Sequence, residues 1–285
     1  METTDKKDKT RLEGELCLCL QNAIDTANRV QIQTLLVVGV RLDGIPFSAL
    51  EHLSKLEPHS VVVAAELKNR RQAGRAGKIL RIGRPWTAEV AYKLSYGTSD
   101  YPDVQYLAVS ACRGWALAQH DLGVLLESGS GVEKNQGLAV EWYRLAAESG
   151  DSFAQNDLGV CLAKGRGIPF DGKAAVKWYR KSARQGCVEG MINYASCLLC
   201  GCCVERDKTA AYRLALRSYL KSSSGKAAYI VGLCIQNGWG TRADPELAKD
   251  WRKIASSLGV TNKNAGWKGC APGSLPRFKA APCHS

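Results

Sequence analysis

The chain of 285 residues has no run of apolar residues as long as the roughly 18 that a membrane span needs; LLVVGV and VVVAAEL are its longest stretches. No membrane-crossing helix is therefore expected. The opening METTDKKDKT is polar, and the CLCL that follows is too short for the apolar core of an export signal, so a cytoplasmic or nuclear site of action is expected. Histidine is scarce, with four in the chain, and no Gly-x-Ser-x-Gly elbow, phosphate-binding glycine loop or His-Glu-x2-His pair occurs. Without a nucleophile–base set the sequence points away from an enzyme, and no cofactor or small-molecule substrate is implied.

Acidic residues are also few relative to basic ones. The formal net charge is +12. Residues 1–85 hold 14 Lys and Arg against 10 Asp and Glu, residues 86–260 hold 21 against 17, and residues 261–285 hold 4 against 0. Each segment contributes the same excess. Nucleic-acid binding wants charge gathered on one face, so a nucleic-acid partner is disfavoured on this count.

What the chain does have is cysteine: twelve residues, four of them in CLLCGCC at 197–203. Thiolates hold zinc, and Cys-x2-Cys is a usual half-site. The frame in which these cysteines sit decides what they are. Residues 118–150 and 154–186 repeat one another. Leu122, Gly123, Gly129, Gly131, Trp142, Tyr143, Ala147 and Gly150 return 36 residues later as Leu158, Gly159, Gly165, Gly167, Trp178, Tyr179, Ala183 and Gly186. A more worn third copy has Tyr194, Gly201 and Leu214 in the matching places. A fourth, shifted by one further residue, has Val231, Gly232, Gly238, Gly240, Trp251 and Gly259. Tyr106, Ala111 and Gly114 fit the second half of a degenerate leading unit over 86–113.

Each unit reads as two helices and a turn. Ala154, Leu158 and Leu162 recur at four-residue steps, a helical spacing, and glycine then closes the helix. A lone helix pair cannot bury both its faces, so the copies are expected to stack into an all-α solenoid of about four helix pairs over 114–260. At the pattern A-x3-LG … A-x3-WY-x2-AA-x2-G the chain resembles the Sel-one-like repeat family, a relative of the tetratricopeptide repeat. The resemblance implies a right-handed α/α superhelix used as a scaffold or adaptor, with a protein or peptide as partner. Polar residues beside the Leu-Gly step, Gln119, Asp121, Gln155, Asp157 and Asn193, are the candidate partner-binding positions on the stacked first helices.

In this frame Cys161, Cys197 and Cys234 occupy one repeat position, which Leu125 fills in the first copy. There they read as small apolar core residues. Cys200, Cys202 and Cys203 remain as weak metal-ligand candidates at the end of a helix and its turn, with Cys203 in place of Gly167. Some secreted relatives bridge the two helices of every repeat with cysteines; the spacing here does not follow that scheme. His120 stands where Asn156 does and reads as a surface variant.

Residues 1–85 do not repeat. Leu12, Leu16, Leu20, Ile24 and Ala27 predict a helix near 11–28, TLLVVGVRL fits a buried strand or a short helix, and the region as a whole fits a cap on the solenoid's first unit. Ile45-Pro46, Leu50, Leu53, Leu56, Pro58 and the run Val61–Ala65 faintly resemble an F-box, with Glu66-Leu67-Lys68 in place of that family's Val-x3-Trp element; the resemblance would imply a ubiquitin-ligase substrate receptor. Lys68, Arg70, Arg71, Arg75, Lys78, Arg81 and Arg84 form a basic run over 68–84, an alternative nucleic-acid contact but one without aromatics for base stacking. Residues 261–285 read as a flexible basic tail.

Overall fold

The computed structural model describes residues 2–42, 45–58, 60, 63–68, 87–96 and 103–260, the side chains of 2–8 and 47 excepted. The basic run beyond Lys68 and the tail lie outside these residues. Among the described residues the regular elements are helices. The chain divides into two compact units, Met1–Gly150 and Asp151–Ser285.

Unit 1 holds α1 (Glu2–Asp25), α2 (Arg29–Val37), α3 (Phe47–Leu56), α4 (Ala88–Tyr96), α5 (Val104–Cys112), α6 (Ala116–Ser128) and α7 (Gln136–Glu148). Unit 2 holds α8 (Ser152–Lys164), α9 (Gly172–Arg184), α10 (Val188–Cys200), α11 (Lys208–Ser222), α12 (Gly225–Asn237) and α13 (Pro245–Ser257). The helices pack in consecutive pairs, and in unit 2 α10 also packs on α8 and α12. First helices thus lie against first helices, as stacking of incomplete pairs requires.

Local chemistry explains the repeated shape. Asn135, Asp171, Asp207 and Asp244 each cap the second helix of a pair, their side chains accepting from backbone N–H groups such as Ala174 N at 2.9 Å. The cap satisfies donors that the first helical turn leaves orphaned. The tyrosine of the Trp-Tyr step packs against the glycine of the Leu-Gly step. A Cβ on Gly123 would stand 2.6 Å from Tyr143 Cε1, and one on Gly159 would stand 2.7 Å from Tyr179 Cε1. In the third copy both partners change together, to Ala195 and Ala215, and both stay buried. Its worn sequence is therefore a smaller version of the same contact. A second link joins the start of a pair to its end in three of the pairs; Ala146 and Ala255 stand at the matching position of the other two. Ser182 Oγ donates to Ser152 O at 2.7 Å, Ser218 Oγ to Val188 O at 3.4 Å, and Ser110 Oγ to Ala88 O at 2.7 Å. The α4–α5 pair thus makes the same internal contact as the α8–α9 and α10–α11 pairs.

The non-repeating N-terminal helices differ from expectation. TLLVVGVRL takes the helical alternative over Thr34–Val37, the last turn of α2, and turns away at Gly39 with φ 80°. Ala27 lies beyond α1 with φ 51° and is exposed rather than part of its apolar face. The region does not sit on the end of the repeat stack alone. α1 packs on α5, and α2 packs on α5 and α7, so they cover the second helices of unit 1. Gln31 Nε2 donates to Cys112 O at 3.0 Å, and Gln105 Nε2 donates to Val38 O at 3.2 Å. Arg113 pairs with Glu15, whose side chain is completely buried. Trp142 lies fully buried beneath α2. Ile45, Leu50 and Leu53 are buried in unit 1's own core.

Candidate functional site

The first helices carry the same outward row in each unit. On α6, Leu117, Asp121 and Val124 follow one another at steps of four and three, which places them on one helical face. Leu117 and Val124 are 42% and 41% exposed. On α8 the matching residues 36 positions later are Phe153, Asp157 and Val160, and Phe153 is 53% exposed. On α10 the central position is Asn193, half-buried. Two apolar side chains thus flank one acid on α6 and again on α8, whereas on α10 the flanking positions are Glu189 and Ser196.

In unit 1 the central carboxylate is held firmly. Asp121 Oδ2 accepts from the hydroxyl of Tyr92 at 2.9 Å and from that of Tyr96 at 2.8 Å. His120 Nδ1 lies 3.5 Å from Asp121 Oδ1, and its ring lies 5.8 Å from that of Tyr143. Partial burial pushes the Asp121 carboxyl up, but hydrogen bonds from His120, Tyr96 and Tyr92 outweigh it and hold the group below the usual carboxylate range. Burial, reinforced by Asp121, drives Tyr96 well above the ordinary phenol range.

In unit 2 the central row is an amide chain. Asn193 Nδ2 donates to Asn156 Oδ1 at 2.8 Å, and Asn156 Nδ2 donates to Asp157 Oδ1 at 3.0 Å. α10 is thereby tied to α8. Gln185 Nε2 donates to Gln155 Oε1 at 2.8 Å.

The structure separates the five residues singled out from sequence. Asp121, Asp157 and Asn193 are half-buried on the outward rows. Gln119 and Gln155 are 6% and 4% exposed, so they do not line an open surface. Gln119 Nε2 instead donates to Ala111 O at 3.2 Å. A glutamine facing the neighbouring pair satisfies a backbone carbonyl there, which a count of polar residues cannot distinguish from a solvent-facing one. His120, read from sequence as a surface variant, is half-buried within the network, and Asn156 at the same repeat position lies within it too, 6% exposed. Their shared repeat position was the signal that could have found them. Tyr92 and Tyr96 were missed because the leading unit is too degenerate to align its first helix.

The cysteines sort by burial. Cys161 and Cys234 are buried, and Cys197 is half-buried. Burial pushes the Cys197 and Cys234 thiols up to about 12. Cys200 and Cys202 are half-buried and Cys203 is exposed. Among the described residues no group of three His, Cys, Asp or Glu side chains is arranged to hold a metal ion. Cys203 takes φ 58°, close to the 66° of Gly167 and 72° of Gly240 at the same turn position. The turn dictates the backbone there, and the cysteine conforms to it.

Stacked helix pairs with a repeated outward row on the first helices define an α/α helical-repeat protein. The Sel1 repeat model matches residues 116–151, 152–187, 188–223 and 225–260, just over half the chain. The chain belongs to the Sel1 repeat family, whose members are generally non-catalytic scaffolds for protein interaction. Among solved structures it is similar to a Sel1 repeat protein from Oxalobacter formigenes, at 25% identity and a TM-score of 0.51, covering 75% of this chain and 77% of that one. It is also similar to a protective antigen present in uropathogenic Escherichia coli strains that displays an SLR fold. That match has 23% identity and a TM-score of 0.54, and covers 76% of this chain. The chain spans about half the length of the E. coli antigen, 49%. Comparison with curated proteins gave no significant match. No described helix is long and apolar enough to cross a membrane.

Proposed function

We propose that the chain is a non-enzymatic adaptor that holds a protein or peptide partner on its first helices. The observation that supports this reading is the recurrence of the apolar–acid–apolar row at the repeat spacing, Leu117–Asp121–Val124 and Phe153–Asp157–Val160, with Phe153 more than half exposed. Exposed apolar side chains beside a fixed polar group are what an incoming helix or strand needs: area to bury and an anchor for register. The carboxylates suit a partner whose apolar residues are accompanied by Lys, Arg or backbone N–H donors. A cysteine spacing that does not follow the bridged scheme of secreted relatives is in keeping with work in a reducing compartment, the cytoplasm or nucleus. Within the repeats over 114–260 each unit carries its own row, on α6 in unit 1 and on α8 in unit 2, and α1 and α2 brace α5 and α7 within unit 1. The ligase-receptor alternative draws no support from Ile45, Leu50 and Leu53, which are committed to unit 1's own core.

The test is capture from lysate on immobilised full-length chain, wild type against Phe153→Ser/Asp157→Lys. A specific set of proteins retained by the wild type and lost by the variant supports the reading. An unchanged set removes the first-helix row as the binding device.

A further inference from the structure

The charge excess, evenly spread along the sequence, is not evenly spread in space. In unit 2 it lies on two second helices. α9 carries Lys173, Lys177, Arg180, Lys181 and Arg184, and α11 carries Lys208, Arg213, Arg217 and Lys221; neither contains an Asp or Glu. The first helices beside them are close to neutral: α8 has Asp157 and Lys164, and α10 has Glu189. On α9 the five cations fall within about 100° of the helix circumference. All five are exposed. On α11, Arg213, Arg217 and Lys221 follow at steps of four, and all are exposed. Arg213 and Arg217 stand 36 residues after Lys177 and Lys181, so the two rows are in register with the repeat.

The rows are neighbours. Lys221 Nζ donates to Gly186 O, just past the end of α9, at 2.7 Å. At the other end, a Cβ on Gly172, the first residue of α9, would meet Cys203 Sγ in the turn leading to α11. Among the described residues no carboxylate pairs with a cation of either row, whereas Lys249 and Lys253 on α13 pair with Glu246 and Asp250. Helix ends do not account for the pattern. Cations in a last turn are favoured by the helix dipole, but Lys173 and Lys177 lie in the N-terminal half of α9, where it opposes them. Like charges four apart also repel. The feature is local: the positions of Lys177 and Arg184 are Glu141 and Glu148 on α7.

We propose that the second helices α9 and α11 form a binding face for the phosphate backbone of nucleic acid, recognised without reading base sequence. Cations at steps of four residues recur about every 6 Å along each helix, a periodic array suited to a periodic anion. Phosphate contacts position a nucleic acid but carry no sequence information. The one aromatic beside the α9 row, Trp178, is half-buried and roofed by Lys181, whose Nζ lies 4.0 Å from the ring centroid, so no open platform for base stacking is offered. A face that lies on a bilayer buries an apolar strip. Here Leu220 is the one large exposed apolar side chain on either helix among the described residues. The face is separate from the first-helix row, and the proposal stands or falls independently of the adaptor reading.

The test uses full-length chain and a fluorescein-labelled 20-nucleotide single strand, in two unrelated sequences, with anisotropy read across a salt titration. Expected is equal affinity for both sequences, falling with salt. The variant Lys177→Gln/Lys181→Gln/Arg213→Gln/Arg217→Gln should bind more than tenfold more weakly at low salt. Its slope of log affinity against log salt should flatten by about 3, at about 0.7 per lost contact. Circular dichroism of that variant should match the wild type, since these side chains are exposed. Lys249→Gln/Lys253→Gln should leave the slope unchanged. Absence of binding at low salt overturns the proposal. So does an unchanged slope in the fourfold variant, which would move the contact to the 68–84 run or the tail. Binding to vesicles of phosphatidylcholine and phosphatidylserine without binding to the oligonucleotide would assign the face to anionic bilayers instead.

Discussion

The indole N–H of Trp142 donates to Oγ1 of Thr34 at 2.6 Å, joining two residues 108 positions apart, both fully buried. This bond fastens α2 to the second helix of the first repeat. Thr34→Val keeps the shape and removes the acceptor, leaving a buried donor unsatisfied. The expected loss is about 1–3 kcal/mol in chemical denaturation. Trp142→Phe in the Thr34→Val background should cost less than Trp142→Phe alone, because the bond is already gone.

Gly159 and Tyr179 offer a test in which the sign is informative. Helix propensity alone makes Gly→Ala favourable by up to about 1 kcal/mol. The 2.7 Å separation from the Tyr179 ring makes Gly159→Ala a clash, expected to destabilise by about 1–3 kcal/mol. With Tyr179→Ala already present the clash has no partner, and the same glycine change should become neutral or stabilising. The double variant reproduces the Ala195/Ala215 pair of the third copy.

The acid side of the stability profile follows from Asp121. Its folded-state pKa lies below the unfolded value of about 3.9. Its contribution is therefore complete above that value and is lost as pH falls through the folded pKa. Thermal midpoints measured from pH 6 to pH 3 should drop more steeply for wild type than for Asp121→Asn. Parallel profiles would show that the tyrosine hydroxyls do not favour the ionised form.

Cys203 should respond to two measurements. With φ 58° it occupies a conformation that costs an L-residue about 1–2 kcal/mol. Cys203→Gly should therefore raise the denaturation midpoint, with glycine's greater freedom in the unfolded chain offsetting part of the gain. As the exposed one among the described cysteines, Cys203 should also be alkylated ahead of Cys161 and Cys234 when native protein is treated and mapped by mass spectrometry.

The helix pairs were legible because their markers are backbone and packing requirements. Gly165 supplies a positive φ, and Gly159 makes room for Tyr179; neither tolerates drift. The position of α1 and α2 was not legible. Thr34 with Trp142, and Glu15 with Arg113, are contacts across about a hundred residues, and nothing local in either segment announces the other. The candidate site was half legible. Asp121 and Asp157 carry an outward row, but Gln119 and Gln155 have the same polarity and point inward, and two residues of helical phase, about 200°, decide between them. The basic face was hidden by bookkeeping along the chain. Counting over 86–260 averages α9 and α11 against carboxylates elsewhere in the segment, such as Glu141 and Glu148 on α7, whereas α9 and α11 themselves hold cations and no carboxylate.

The cover that α1 and α2 place over α5 and α7 governs how this protein can be dissected. A fragment starting at residue 86 would begin at the leading unit read from the sequence. It would also strip the roof from Trp142 and leave Arg113 without Glu15. The freshly bared indole and its surroundings would be adhesive in their own right, and whatever such a fragment captured would report the cut rather than the repeats. Interaction mapping is sounder with point changes in the intact chain.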